Sequence, residues 1–203
     1  MARQGCFWKE VPYKINMPVR IDDPRLSAPQ CVSLTPVRTV HINSWFVVQD
    51  RGGYFTIEYK QPQVIILPII DNHSILMVRV KRPVIADSTL ELPAGSVKRN
   101  ETPLAAAARE FAEETGIEIE DTRRFMAKAP ISSSPNRTPT LIYIYQIFLS
   151  QAEYDSRSTH DDEIESVGCY RFEELKKMLI HGEIYVSVPM AVIGSYLLKK
   201  CFS

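Results

Sequence analysis

The sequence predicts an α/β protein, a mixed β-sheet held between helices. Three observations carry this. β-branched and aromatic runs fill residues 37–80 and return at 125–149. An alanine-rich stretch within 102–116 and two segments near the C-terminus keep helical spacing. Strands and helices interleave without a regular βαβ rhythm, which points to a mixed sheet.

Residues 1–36 read as a separate, irregular N-terminal segment. Pro12, Pro18, Pro24, Pro29 and Pro36 interrupt any long helix. Phe7 and Trp8 are the side chains suited to anchor it on the body or on a partner subunit. Residues 37–60 form a β unit of three runs, 37–42, 45–49 and 54–59, with Arg51-Gly52-Gly53 as a hairpin turn. The main domain takes 61–203. Its strands begin with 64–67 and 75–80, parted by the turn Asp71-Asn72-His73, in which His73 is a polar turn residue. The alanine-rich helix follows. Next come strands at 125–129 and 140–149, the second alternating across Leu141, Tyr143 and Tyr145, with a polar loop at 131–139 between them that could line a site. Residues 151–162 are polar and aperiodic, a mobile loop by this pattern, ending in the acidic run 161–165. A short strand at 167–171 leads to an amphipathic helix at 172–181, stopped by Gly182. A last helix at 187–200 has Pro189 in its first turn.

A chain of 203 residues can bury a sizeable core as one domain with an appendage. Lys plus Arg and Asp plus Glu both number 24, so no net field draws in a nucleic acid or an anionic membrane. Apolar runs at 64–70 and 141–149 are too short to span a bilayer, and the first residues lack the continuous apolar region of a secretory signal. Cys6, Cys31, Cys169 and Cys201 stand far apart without CxxC spacing, the pattern of reduced thiols in a cytoplasmic protein.

The chemistry concentrates at residues 95–117. Thr102 and Pro103 read as an N-cap and first-turn proline, and Gly116 suits the left-handed position past the helix end. Leu104, Ala107, Ala108, Phe111 and Thr115 fall on one core-facing stripe. Glu110 and Glu114 lie four apart on its flank, with Glu113 beside them. Like charges at that spacing cost a helix roughly 0.2–0.5 kcal/mol per pair unless a cation sits between them. Arg109 reaches Glu113 at i+4 but cannot neutralise three glutamates and Glu101 together. Most Glu-rich helices are solvated acidic faces. Here the carboxylates adjoin the core stripe, a glycine turn (Pro93, Ala94, Gly95) leads in, and Glu101 stands in the connecting loop. Clustered carboxylates at a loop–helix junction are hard oxygen ligands for Mg²⁺ or Mn²⁺, and Mg²⁺ shares its ligation with substrate phosphates.

Gly95, Glu101, Arg109, Glu110, Glu113, Glu114 and Gly116 form a fixed pattern expected by chance at roughly 10⁻⁸ per starting position. With it the chain resembles the Nudix hydrolases, and no defining position departs. The resemblance covers roughly residues 37–200 and implies a Nudix-type α/β/α sandwich with a mixed sheet, plus the N-terminal β-rich segment. It further implies Mg²⁺- or Mn²⁺-dependent attack of water on a nucleoside diphosphate linked to another group. The resemblance makes Glu110 and Glu114 principal metal ligands, Glu113 a further or water-mediated one, and the Ala94 carbonyl an additional one. Arg109 orients the glutamates and Glu101 steadies the loop. Glu91-Leu92-Pro93-Ala94-Gly95, Val78-Arg79-Val80-Lys81-Arg82-Pro83 and the Ser134–Thr138 stretch resemble the ADP-ribose pyrophosphatase and nucleotide-sugar branch, although Pro135 stands late and Asn136 replaces a common glycine. That branch takes its base from a loop after the box, which maps to Glu163 first, then Asp162 and Glu165. Arg79, Arg82 and Arg137 are candidates to grip phosphate, with a surface salt bridge as each one's competing role. The branch implies a homodimer, with residues 37–60 exchanged between subunits, and a small nucleoside diphosphate derivative as ligand, while the balanced charge and the short apolar runs speak against a nucleic acid or membrane partner. GDP- or UDP-sugars and nucleoside triphosphates are alternative substrates, and a silent nucleotide- or RNA-binding module is the alternative of another class.

Overall fold

The computed structural model describes residues 22–201, the side chain of Cys201 excepted; what the sequence suggests for Phe7 and Trp8 lies outside that range. Asp23 caps a short 3-10 turn at Pro24–Leu26, Leu26 is buried, and the Leu141 amide donates to the Arg25 carbonyl at 2.8 Å, so this segment packs on the body. Three strands, β1 (Val37–Ile42), β2 (Phe46–Arg51) and β3 (Tyr54–Tyr59), then form an antiparallel sheet in the order β1-β2-β3. Gly52 and Gly53, both at positive φ, make the two-residue turn between β2 and β3.

The second sheet is built on β4 (Gln63–Ile70), which is buried at every position after its first. Such a strand must be covered on both faces and paired on both edges. One edge pairs in parallel with β9 (Ile142–Leu149) along its whole length. The other meets β5 (Ser74–Arg82) only at Ile69 and Ile70. Where β4 and β5 diverge, β6 (Asp87–Glu91) pairs with β5 and β7 (Ala94–Ser96) with β4. Residues 64–67 alone are therefore too short a reading of β4. The strand continues through Pro68, whose missing amide falls at the junction where β4 changes partner from β7 to β5. The full order is β10-β5-β4-β9-β8, with β8 (Met126–Ile131) and β10 (Ile164–Arg171) at the edges.

Alternation along these strands builds two cores. Val64, Ile66, Leu76, Val78, Tyr145 and Ile147 face α1 (Pro103–Thr115), where Ala106, Ala107 and Phe111 meet them. Ile65, Leu67, Ile69, Ile75, Met77 and Ile144 face the other way, onto Leu175 of α3 (Phe172–His181) and Val188, Val192, Ile193 and Leu197 of α4 (Ser187–Cys201). The result is the expected α/β/α sandwich around a mixed sheet. Phe111 is fully buried and packs edge-on to Phe125; its truncation to alanine is worth about 3–5 kcal/mol.

Two further expectations need correcting. Residues 151–162 are not structureless: α2 (Gln151–Asp155) opens them with a complete capping box from Ser150 and Glu153. The last strand starts at Ile164 and not at 167, because Ile164 is buried and pairs with Val80. Glu165 thus lies in β10, at a β-bulge, with its carboxylate 3.7 Å from Lys81 Nζ. No helix among the described residues is long and apolar enough to cross a membrane.

Candidate active site

The site is assembled where β7 runs against α1. The Thr102 hydroxyl accepts from the Ala105 amide at 3.1 Å and Pro103 occupies the first turn, fixing where the helix begins. In β7 the amides of Ala94 and Ser96 point away from β4 and towards the helix. Ser96 N donates to Glu110 Oε1 at 3.1 Å, and Ala94 N donates to Glu114 Oε2 at 3.0 Å. The carbonyl of a strand residue leaves on the same side as its amide. The Ala94 carbonyl therefore opens onto the Glu114 side of the strand. A Cβ on Gly95 would overlap the Glu110 carboxylate, so any side chain there would push that carboxylate from its place against the Ser96 amide.

Arg109 is the hub of the constellation. Its Nε and Nη2 donate to the two oxygens of Glu101 at 2.9 and 3.0 Å, and Nη2 also reaches the Ser96 carbonyl at 3.0 Å. Its Nη1 lies 2.8 Å from Glu113 Oε2 and 2.9 Å from Glu110 Oε1. Glu101 is in turn held by the Lys98 amide at 2.9 Å. One guanidinium thereby joins the loop, the strand and the helix. The hydrogen bonds to Glu101 raise the Arg109 pKa further above its ordinary value, and the same bonds hold Glu101 below the usual carboxylate range.

The two carboxylates facing β7 behave in the opposite way. Burial pushes Glu110 up, against the pull of Arg109. Burial pushes Glu114 up to about 8; Glu110 and Glu91 add to this, while the Ala94 amide and Arg82 oppose it. Glu114 forms no ion pair among the described residues. A protein-enclosed carboxylate beside a second one, with too little positive charge around them, is the environment that a divalent cation relieves. Their oxygen donors suit a hard ion, so the residues fit such a metal. Among the described residues no three carboxylate, imidazole or thiolate groups are already gathered as a metal cage. The reason is visible: Glu110 and Glu114 are turned onto backbone amides, and Glu113, at the exposed side, onto Arg109.

The remaining candidates divide. Arg82 is brought close, but grips Glu91 in bidentate fashion at 2.7 and 2.9 Å, and feels the charges of Glu114 and Glu163. Glu91 is buried and also accepts from Thr89 Oγ1 at 2.6 Å. This Thr89–Glu91–Arg82 bridge is the part of the site that residue-level reading missed; its signal is the Glu91 of the lead-in to the box. Beside Arg82 an open cleft of about 380 Å³ is lined by Lys81, Arg82, Pro83, Ala86, Asp87 and Ser88. Arg79 Nη1 donates to the Ser88 carbonyl at 3.0 Å, and the exposed Arg137 to the Asn136 carbonyl at 2.9 Å; neither meets a carboxylate of α1. Asp162 and Glu163 sit exposed in the turn before β10, which the Ile164 amide closes onto the Asp161 carbonyl at 3.1 Å.

Comparison with known proteins follows the same lines. Over 137 residues the chain is 25% identical to an ADP-ribose pyrophosphatase of Bacillus subtilis (strain 168), covering 68% of this chain and 72% of that protein. It is 33% identical over the same length and shares to a methanol dehydrogenase activator of Bacillus methanolicus. The crystal structure of an ADP compounds hydrolase superposes with a TM-score of 0.62 over 82% of this chain and 91% of that one, and at 19% identity this likeness speaks for the fold. The NUDIX domain model matches residues 59–187, well over half of the sequence and all of the site just described, so the chain belongs to the Nudix family and is a Nudix hydrolase.

Proposed function

We propose that this hydrolase splits the diphosphate bridge of a nucleoside diphosphate derivative, with ADP-ribose going to AMP and ribose 5-phosphate. The observation that carries the reading is the pair Glu110 and Glu114, enclosed against β7 with their carboxyl groups raised by burial. The 25% identity to an ADP-ribose pyrophosphatase supports the choice of substrate. Nudix hydrolases generally use divalent metal ions, and Mg²⁺, with Mn²⁺ as substitute, is the ion proposed here. Bound by Glu110, Glu114, the Ala94 carbonyl and Glu113, it would polarise the phosphoryl oxygens and offset developing charge.

The chain's own residues supply the rest. Arg109 holds Glu110 and Glu113 in register. Glu163, or Asp162 beside it, takes the proton of the attacking water as the new P–O bond forms and the bridging P–O bond breaks; Glu165, ion-paired with Lys81, is the weaker candidate. Arg82 would exchange one of its two bonds to Glu91 for a phosphate oxygen, with Arg79 and Arg137 as further contacts. The enzyme is further proposed to work in the cytoplasm, in keeping with the free thiols of Cys31 and Cys169, and as a homodimer.

The test is incubation with Mg²⁺ and ADP-ribose, GDP-mannose, UDP-glucose and nucleoside triphosphates, with product identification. AMP and ribose 5-phosphate are the expected products. Turnover of triphosphates without diphosphate sugars would remove the substrate assignment, and no turnover with either ion would point to a binding module.

A further inference from the structure

The segment between α2 and β10 is fastened to the end of the very helix that carries the glutamates. Ser158 N donates to the Gly116 carbonyl at 2.8 Å and Ser158 Oγ to the same oxygen at 3.1 Å. Asp161 N donates to the Glu113 carbonyl at 2.9 Å. Carbonyls at a helix C-terminus have no partner within the helix, and here the loop supplies it. Three residues further on, Ile164 is buried in the core beneath α1 and paired with β5. Asp162 and Glu163 are thus the two residues between a bond to α1 and a buried strand residue. Neither end of that span can move without breaking a contact to the helix or the sheet.

Gly116 is what allows the loop so close. Its φ of +71° is the left-handed cap conformation, but a Cβ there would also overlap the backbone carbonyl of Ser158. Gly182, which ends α3 at a φ of +74°, has nothing within 4 Å of the same position. The two glycines share one conformational demand, and only Gly116 carries the second, a docking demand.

We infer that Gly116 and Ser158 are positioning residues for the proposed hydrolysis, setting the Asp162–Glu163 turn in register with the carboxylates of α1. This rests on the reading that the turn provides the base. Misplacing a catalytic group by about 1 Å costs roughly 100-fold in rate, whereas losing a helix cap alone acts on stability.

The full chain with Mg²⁺ and ADP-ribose is compared as wild type, Gly116→Ala and Gly182→Ala. Both variants lower Tm. Gly116→Ala is expected to lose roughly 100-fold in kcat with unchanged KM and unchanged Mn²⁺ affinity by EPR titration, and to speed amide hydrogen exchange at Ser158 and Asp161. Gly182→Ala should keep kcat within about two-fold of wild type, since it displaces no catalytic group. Equal kcat losses in the two variants, or a loss of Mn²⁺ binding in step with kcat in Gly116→Ala, would overturn the inference. Should Gly116→Ala not fold, Ser158→Ala decides: slower turnover and faster exchange at Asp161, both restored by Ser158→Thr, support it, and wild-type values overturn it. If the wild type hydrolyses no diphosphate, the proposed function fails while the exchange comparison still decides whether Gly116 docks the loop.

Discussion

At Glu114 burial sets the carboxyl group against its own ionisation. In the unfolded chain it titrates near about 4.3, and in the folded metal-free protein near about 8. Between those values the folded state holds a proton that the unfolded state has lost. Stability from this group is therefore full below the lower value and is lost as pH rises towards the higher one. Glu110 is shifted the same way by the same cause. Metal-free protein is expected to show a falling Tm over that window, with added Mg²⁺ restoring most of it at the alkaline end. Glu114→Gln should flatten the slope to what Glu110 leaves, stay folded and lose nearly all turnover. Thermal melts in chelator across the window, with assays alongside, make the check; an unchanged slope or retained activity removes Glu114 from the metal site. These carboxylates were legible in the sequence because helical spacing puts Glu110 and Glu114 side by side, four residues apart, and Glu113 four residues from Arg109. The Arg82–Glu91 bridge was not, since its partners stand nine residues apart across the β5–β6 pairing. Residue spacing says nothing of such a pair until that register is known.

At the scale of elements, length decided what could be read. α1 has 13 residues, a capping threonine and a closing glycine, so period and caps agree. β6 and β7 have five and three residues and exist because β4 and β5 diverge, a tertiary fact with no local period behind it. α2 has five residues and no apolar stripe; its readable signal was Ser150 followed three residues later by Glu153. That box also anchors the loop leading to Asp162. Glu153 accepts from Ser150 N at 2.8 Å and pairs with Arg124 Nη1 at 2.7 Å, and chiefly the Arg124 bond holds its carboxyl down at about 2. A depressed carboxylate adds stability above its unfolded value near about 4.3, and that stability goes as pH falls towards about 2. Glu153→Gln keeps a side chain able to close the capping box but removes the charge paired with Arg124, so it should cost up to about 1 kcal/mol at neutral pH and should flatten acid unfolding between those limits. Urea titrations at neutral and acid pH measure both. A variant that loses as much stability below that window as at neutral pH would show that the charge of Glu153 is not what matters.

For the whole molecule the unsettled element is the N-terminal sheet. Every residue of β1 is exposed, none of β2 is buried, and in β3 only Thr56 is. The β2–β3 register puts Phe46, Val48, Phe55, Ile57 and Tyr59 on one face, where Phe46 and Tyr59 meet edge-on. Trp45 remains 75% exposed and Ile42 61%. A backbone bond from Ile57 N to the Arg137 carbonyl at 2.8 Å joins the sheet to the loop at 131–139. Three strands without a buried face are marginal alone, and apolar surface gathered on one small sheet marks a contact site. A second copy of the chain is the occupant proposed, since the apolar face and the exposed β1 both occur on every copy and can pair across a two-fold axis. Burial of an aromatic or aliphatic side chain is worth about 1.5–3 kcal/mol, so one charge placed there opposes the association by a comparable amount. Light scattering on a sizing column should give twice the chain mass for the wild type. Phe55→Glu or Tyr59→Glu should move it towards the monomer, with Tm becoming dependent on protein concentration. A wild-type protein that elutes as a monomer at every concentration tried would sink the homodimer. The exposed face of β2 and β3 would then need another partner.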